Sequence, residues 1–320
     1  MRVSATARNR ARDSLYGRAM TDTVNLPADD LVAAFQIEGW PVRGRIVRLG
    51  DAVHEILTRH DYPPSVANLL GEACALAGLV GSSLKFDGWL IVQAQGDGPV
   101  AYVVVDYDTE GSLRGYCRFD AARLEALLTD TPRPGARDLL GQGLFIMTID
   151  QGADMDRYQG VTSIEGDTLA LCAEEYFARS EQTPTRIRLA VGQVDAGDGA
   201  RWRAGGLLIQ NIASDETRGS TEDAWVRAQA LFETTREHEL LDPTLPSDTL
   251  LWRLFNEDGV RVFEPRPLQA FCRCSEERIV TVLASFSGEE RAEMIEPDGK
   301  IRVTCEYCSR VYAMTPPAGA

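Results

Sequence analysis

The sequence lacks the motifs with which many enzymes bind nucleotides or build a hydrolytic nucleophile. Its 320 residues contain no G-x-x-x-x-G-K-[ST] loop, no G-x-G-x-x-G turn after a predicted strand and no G-x-S-x-G elbow. ATP-driven work and serine hydrolase chemistry are therefore not expected. The three histidines, His54, His60 and His238, have no motif partner, and we interpret them as solvated or packed side chains.

Basic charge and long apolar runs are also scarce. Lysine and arginine number 33 against 48 acidic residues, which gives a net charge of −15. Because nucleic acids and anionic membranes bind basic surfaces, we expect neither as a partner. The apolar run at 73–80 follows Glu72 and is much shorter than the ~18 residues of a membrane-spanning helix, so no membrane span is predicted.

The seven cysteines do not form the framework of a secreted, disulfide-rich protein. Cys74, Cys117 and Cys172 lie singly among apolar neighbours, where cysteine is usually an inert small hydrophobe. This usage fits a reducing cytosol, so we expect a cytoplasmic protein. Residues 1–22 contain five arginines among Ser and Ala; we interpret them as a disordered leader rather than a transit peptide, with Met20 as an alternative start.

Strand and helix patterns are mixed irregularly through residues 23–213. The predicted strands are 42–49, 89–95, 100–107, 113–118, 144–150, 186–194 and 206–212, and the predicted helices are 51–60, 63–84, 120–128 and 167–179. Asp51 is predicted to cap the first helix, and the second is apolar on every face. Hairpin signatures at 96–99 and 108–111 indicate antiparallel pairing. The sequence thus predicts an α+β N-terminal domain of antiparallel sheets packed with helices.

Residues 214–265 are predicted to form a charged, helical linker. A polar stretch at 214–220 precedes a helix at 221–241 with the sparse apolar stripe Trp225, Ala228 and Phe232; a short helix at 247–255 and a strand at 260–263 follow. The linker has too little apolar surface to stabilise its folded state by itself. We therefore expect it to be metastable and to pack on a neighbouring part of the protein.

Four cysteines stand in two close pairs near the C-terminus, Cys272 with Cys274 and Cys305 with Cys308. Four thiolates so arranged can converge on one tetrahedral ion, so residues 266–320 are predicted to be a small zinc-binding domain. The C-x-C pair requires a kink at Arg273, and the same proximity would permit a strained, easily reduced disulfide. The spacing leaves open a structural zinc, a redox-responsive zinc, another metal such as iron, or no metal.

The thirty residues between the pairs carry signals of a small folded unit. Ser275 is a predicted N-cap for a helix that places Ile279, Leu283 and Phe286 on one face. The N-terminus of this helix should favour the Cys274 thiolate. A capping box at 287–290 and a strand at 301–304 complete the unit.

The arrangement of C-x-C-Ser, thirty residues and C-x-x-C resembles the zinc module of the heat-shock protein 33 (Hsp33) family of redox-regulated bacterial chaperones. Similar segments upstream are residues 44–50, 81–88, 95–99, 113–116 and 205–210. The resemblance implies an ATP-independent holdase, not an enzyme, that binds unfolding client proteins and holds one zinc ion per chain when reduced. It also implies that oxidants form the disulfides Cys272–Cys274 and Cys305–Cys308, with zinc release, linker unfolding and conversion of a monomer to a homodimer.

Linker unfolding would expose apolar side chains that we expect to bind clients, namely Trp225, Phe232, Leu240, Leu241, Leu250, Leu251, Trp252 and Phe255. A zinc-containing thiol-disulfide oxidoreductase is the alternative hypothesis, because it would use the same cysteines in turnover with a dithiol substrate. A zinc-ribbon nucleic-acid binder is disfavoured by the acidic net charge.

Overall fold

A computed structural model of the chain describes residues 29–85, 87–152, 155–195, 197, 199–212 and 221–315. The predicted leader at 1–22 and the polar stretch at 214–220 lie outside the described residues.

The secondary structure of the described residues comprises fourteen strands and ten helices. The strands are β1 (Leu31–Ile37), β2 (Val42–Leu49), β3 (Trp89–Gly96), β4 (Val100–Asp108), β5 (Ser112–Phe119), β6 (Gly143–Asp150), β7 (Tyr158–Ser163), β8 (Thr185–Asp195), β9 (Ala200–Asn211), β10 (Val260–Val262), β11 (Arg266–Pro267), β12 (Gln269–Ala270), β13 (Ile301–Thr304) and β14 (Val311–Met314). The helices are α1 (Asp51–Thr58), α2 (Pro64–Gly81), α3 (Ala121–Asp130), α4 (Ala136–Leu140), α5 (Leu169–Ser180), α6 (Thr221–Phe232), α7 (Glu237–Leu241), α8 (Ser247–Phe255), α9 (Glu276–Leu283) and α10 (Gly288–Glu293).

Two six-stranded sheets form the body of the protein. Sheet A has the order β10-β1-β2-β9-β8, with β11 also paired to β1, and sheet B has the order β12-β5-β4-β3-β6-β7. The pairs are antiparallel except for β12 with β5, while β13 and β14 form a separate C-terminal hairpin. The predicted α+β class with antiparallel sheets and helices is confirmed.

Helix α2 lies between the sheets and explains why its sequence is apolar on every side. It contacts β3, β4 and β5 of sheet B and β2, β8 and β9 of sheet A. By length and composition alone this helix could cross a membrane, but it is 78% buried inside the protein. It is therefore the central helix of the core.

Three expectations about local structure need correction. Asp51 does not cap α1; instead the Asp30 carboxylate accepts hydrogen bonds of 3.0 Å from the backbone N–H groups of Gly50, Asp51 and Ala52. The first predicted strand is 42–49, but the strand β1 at Leu31–Ile37, which was not predicted, precedes it. The single helix predicted at 221–241 is divided into α6 and α7, with the Thr234 hydroxyl donating to the Leu231 carbonyl oxygen at the break.

The linker helices cover the outer face of sheet A. Their buried side chains pack against a cluster from β1, β2, β8 and β9 that includes Phe35, Ile46 and Leu207. Because this contact is long-range, the linker obtains from sheet A the apolar partner that its own sequence lacks.

Candidate metal centre and linker interface

Two structural elements place the four cysteines together. Cys272 and Cys274 lie in the irregular segment between β12 and α9, and Cys274 directly precedes the helix cap Ser275. Cys305 and Cys308 lie in the turn of the β13–β14 hairpin, where the Cys305 N–H donates to Arg310 O at 2.9 Å and Ser309 has a φ of 56°. The left-handed Ser309 reverses the chain tightly, so both sulfurs face the first pair.

The four sulfurs have the spacing of a metal-binding cluster. The Sγ atoms all lie within 4.8 Å of one another. The shortest contacts join opposite segments, at 3.7 Å for Cys272 to Cys305 and 3.4 Å for Cys274 to Cys308. A tetrahedral zinc with Zn–S bonds of about 2.3 Å has sulfur–sulfur edges of roughly 3.8 Å. Both the donor set and its dimensions therefore fit a soft, tetrahedral metal ion.

The protonation of the cluster is uneven. Burial alone would raise the pKa of Cys274, but hydrogen bonds from Tyr312 and the neighbouring sulfurs outweigh burial and lower the pKa to about 7. Burial and the neighbouring sulfurs raise the pKa of Cys308 to about 12. Because these two sulfurs are in hydrogen-bond contact, the pair titrates together, and its surroundings favour the thiolate at Cys274 over that at Cys308.

Tyr312 is a site residue that the sequence analysis missed. Its hydroxyl lies 3.1 Å from both the Sγ and the carbonyl oxygen of Cys274 and donates to them. An alternating pattern after Cys308 could have predicted the strand that carries Tyr312, but not the target of its hydroxyl. The expected helix start beside Cys274 is present, with the Arg278 N–H donating to the Ser275 side chain at 3.3 Å.

The remaining cysteines are buried in the main core. Cys74, Cys117 and Cys172 are each at most 2% exposed. Burial raises the pKa of Cys74 to about 12 and also raises that of Cys117 and Cys172. They are core residues, as predicted.

The unit around the cluster, residues 271–315, has a very small core of its own. Only Leu283, Ile301 and Met314 form its buried apolar cluster among the described residues, with Ile279 and Tyr312 among the side chains packed at its edge. Phe286, predicted on the same helical face, is 37% exposed. Three buried side chains stabilise by only about 1.5–3 kcal/mol each, so the unit depends strongly on whatever joins its four sulfurs.

The linker side chains expected to bind clients are mostly covered. Phe232, Leu240, Leu250, Leu251 and Phe255 are at most 2% exposed, and Trp225 and Leu241 are partly buried against the same cluster. Trp252 differs, since it lies on the outer side of α8 and is 55% exposed.

Two arginines of sheet A hold the C-terminal end of α7. The buried Arg48 donates to Asp242 O at 2.6 Å and to Glu239 O at 2.8 Å, and Arg203 donates to Leu241 O at 2.7 Å. Burial lowers the pKa of Arg48 to about 10. Cations at the carbonyl end of a helix stabilise it, so these contacts fasten the linker to the sheet.

The protein is thus of the helix-and-sheet class and has a thiol-based candidate metal centre. Its core consists of two sheets, a helical segment covers one face of that core, and the four thiols lie in the C-terminal unit. The sequence family described as Hsp33 protein matches residues 30–315. The 33 kDa chaperonin of Caulobacter vibrioides is 73% identical over 289 residues, covering 90% of this chain and 96% of the relative. That of Escherichia coli strain K12 is 36% identical over 287 residues, covering 90% and 92%.

A solved structure has the same fold. The crystal structure of the Thermotoga maritima 33 kDa chaperonin, described as a heat shock protein 33 homolog, aligns with a TM-score of 0.75 at 24% identity and covers 90% of this chain and 95% of that one. The chain therefore belongs to the Hsp33 family. This is a family of chaperones, and the four-cysteine cluster is consistent with zinc binding and redox regulation.

Proposed function

We propose that the protein is an ATP-independent holdase that is activated when its four-cysteine centre is oxidised. The observation that carries this proposal is the combination of one four-sulfur cluster with a linker whose apolar side chains are buried only through contact with sheet A. Loss of the cluster removes the main constraint on residues 271–315, and release of the linker then presents apolar surface to unfolding proteins.

The metal is proposed to be one zinc ion per chain, held by Cys272, Cys274, Cys305 and Cys308 in the reduced protein. When bound, zinc would join the two cysteine segments, and structural zinc contributes about 10–16 kcal/mol in small peptides. The chain accordingly divides into a leader at 1–22, a core at 23–213, a metastable linker at 214–265 and a redox-switch domain at 266–320. Strands β10, β11 and β12 tie residues 260–270 to both sheets.

The proposed activation is a two-electron oxidation of each cysteine pair. Two thiolates form one S–S bond and give two electrons to one peroxide molecule, which takes up two protons and becomes two water molecules. Two such reactions consume all four thiolates. A disulfide sulfur is no longer an anionic donor, so the ligands of the zinc ion are lost.

The proposed disulfides are Cys272–Cys274 and Cys305–Cys308. All three pairings of four sulfurs are within reach, because the Sγ atoms lie within 4.8 Å of one another. Near-neighbour pairing is favoured once the segments separate, because cysteines close in the chain keep a small closure entropy. Mass spectrometry of non-reduced peptides tests this, and any disulfide that joins Cys272 or Cys274 to Cys305 or Cys308 would contradict it.

The client surface is proposed to include Trp225, Phe232, Leu240, Leu241, Leu250, Leu251, Trp252 and Phe255. We further propose a cytoplasmic protein that is a monomer when reduced and a homodimer when oxidised, with unfolding proteins as partners and without nucleic acid or membrane partners. The net charge of −15 supports the solubility of client complexes.

A thiol-disulfide oxidoreductase remains the alternative. The lowered pKa of Cys274 favours it, because a thiolate with a pKa near the ambient pH is an effective attacking group. It predicts catalytic turnover of a dithiol substrate that requires one cysteine pair, whereas the holdase, which is not an enzyme, requires all four cysteines and no turnover.

The decisive experiment follows zinc release, thiol content and suppression of client aggregation during treatment with peroxide at raised temperature. We expect about one zinc per reduced chain and protection that rises as zinc leaves. A Cys74→Ala/Cys117→Ala/Cys172→Ala variant is the matched control and should respond like the wild type. If the oxidised, zinc-free protein protects no client better than the reduced protein does, the holdase proposal fails.

A further inference from the structure

The four-cysteine unit rests on the outer face of sheet B through residues that lie between its own cysteines. Arg273 separates Cys272 from Cys274, and Tyr307 lies between Cys305 and Cys308. The Arg273 guanidinium lies 4.1 Å from the centre of the Trp89 ring. In the second contact the core supplies the cation and the unit supplies the ring: the Arg114 guanidinium of β5 lies 4.0 Å from the centre of the Tyr307 ring. Two reciprocal cation–π contacts therefore join the unit to the core.

Both guanidinium groups converge on one buried carboxylate. Asp106 of β4 is 3% exposed and accepts hydrogen bonds from Arg114 Nε at 2.8 Å and from an Arg114 terminal nitrogen at 2.5 Å. A terminal nitrogen of Arg273 is 3.5 Å from the same carboxylate oxygen. Within the described part of the chain, Asp106 is the only carboxylate in salt-bridge contact with either arginine.

The group formed by Arg114, Arg273 and Asp106 carries more positive than negative charge. Two guanidinium cations, those of Arg114 and Arg273, face the single carboxylate of Asp106. The Arg114 side chain is also within hydrogen-bonding reach of the Cys272 side chain. The cysteine cluster is thus the neighbour that can supply the missing anion. Four thiolates around a dication carry a net charge of about −2.

We propose that Arg114 and Arg273 are positioning residues that dock the four-cysteine unit on sheet B by balancing the negative charge of its reduced, metal-bound centre. The inference rests on the proposed function and adds how oxidation of the cysteines would weaken the contact between the four-cysteine unit and sheet B. When the four thiolates become two neutral disulfides, the arginines lose their counter-charge and the unit is released. An uncompensated, partly buried charge is costly, so docking and oxidation oppose each other.

The test compares Arg114→Gln with Arg114→Lys in the zinc-loaded, reduced protein by amide hydrogen exchange. The reporter is the segment 271–274, because the Phe271 N–H donates to Leu113 O of β5 at 2.9 Å, so undocking of the unit would expose this amide to exchange. We expect Arg114→Gln to accelerate exchange of this segment at least tenfold with zinc content unchanged. Arg114→Lys, which keeps the charge, should stay within about twofold of the wild type.

Two further variants keep the test decisive. Arg273→Gln removes the second cation from the unit side and leaves the Arg114–Asp106 pair of the core intact; it should accelerate the same segment even if Arg114→Gln perturbs sheet B. Arg133→Gln is the control, because it changes the net charge equally at an exposed loop position. It should not accelerate exchange of the reporter segment. Wild-type exchange in both Arg114→Gln and Arg273→Gln, or equal acceleration in Arg114→Lys and Arg114→Gln, overturns the proposal. No client or oxidant is present, so this outcome is independent of whether the oxidised protein is a holdase.

Discussion

Replacing Phe255 with alanine should release the linker from sheet A in the reduced protein. Phe255 is 0% exposed and stacks on Phe35 with ring centroids 5.8 Å apart. Truncating a buried phenylalanine costs about 3–5 kcal/mol. Because about 1.4 kcal/mol changes an equilibrium tenfold, the ratio of docked to released linker should fall by roughly two to three and a half powers of ten.

The assay measures client aggregation without oxidant, together with hydrogen exchange of α8 and zinc content. We expect Phe255→Ala to retain zinc, to exchange faster across α6–α8 and to suppress aggregation while its thiols remain reduced. Trp252→Ala is the matched control, because Trp252 lies on the same helix but is 55% exposed; its linker should stay docked. If Phe255→Ala exchanges like the wild type, the buried face does not hold the linker. If it exchanges faster without protecting clients, linker release alone does not activate the chaperone.

Three further outcomes follow from the site and the core. Tyr312→Phe removes a hydrogen-bond donor to the Cys274 thiolate and should raise the pKa of Cys274 from about 7. If the pKa rises by about one unit, zinc affinity measured by chelator competition should fall about tenfold at pH 6 but only about twofold at pH 8. A loss of affinity that does not depend on pH would contradict this reasoning. Burial raises the pKa of Glu72 to about 7 in the folded protein, so its contribution to stability is present below about pH 4.5 and is lost as pH rises through about 7. Glu72→Gln should therefore raise the free energy of unfolding by about 1–3 kcal/mol at pH 8 and little at pH 5 in urea titrations, and destabilisation at pH 8 would refute it. Chelation of zinc under reducing conditions should accelerate exchange throughout residues 271–315 while α2 stays protected; unchanged exchange would show that the unit folds without metal.

Local signals in the sequence were sufficient for several elements. The Ser275 cap and the 287–290 capping box are both present, with the Glu290 N–H donating to Ser287 Oγ at 3.2 Å. The hairpins between β3, β4 and β5 are also as predicted. Each of these depends on residues within a few positions of one another, which is the range over which propensity and capping act.

Expectations failed where a distant residue supplied the decisive contact. Asp30 rather than Asp51 caps α1, from about twenty residues away in the chain. The helix predicted at 221–241 is divided at a turn where Thr235 is fully buried, so that α6 and α7 can both reach sheet A. Gly205 shows the same dependence on tertiary structure, since a Cβ there would lie 2.4 Å from Leu240 O of α7.

The sequence by itself determined the donor chemistry of the centre, because four thiolates in two close pairs are the donor set of a tetrahedral soft metal once the fold brings the pairs together. It also determined the central helix, because α2 is apolar on all sides and can be stable only between two layers. Only the tertiary structure decided what the linker covers, which hydroxyl contacts Cys274 and which arginines face the cysteine unit. Those contacts join residues far apart in the chain, and no local pattern records which distant side chain will complete a buried charge or an apolar face.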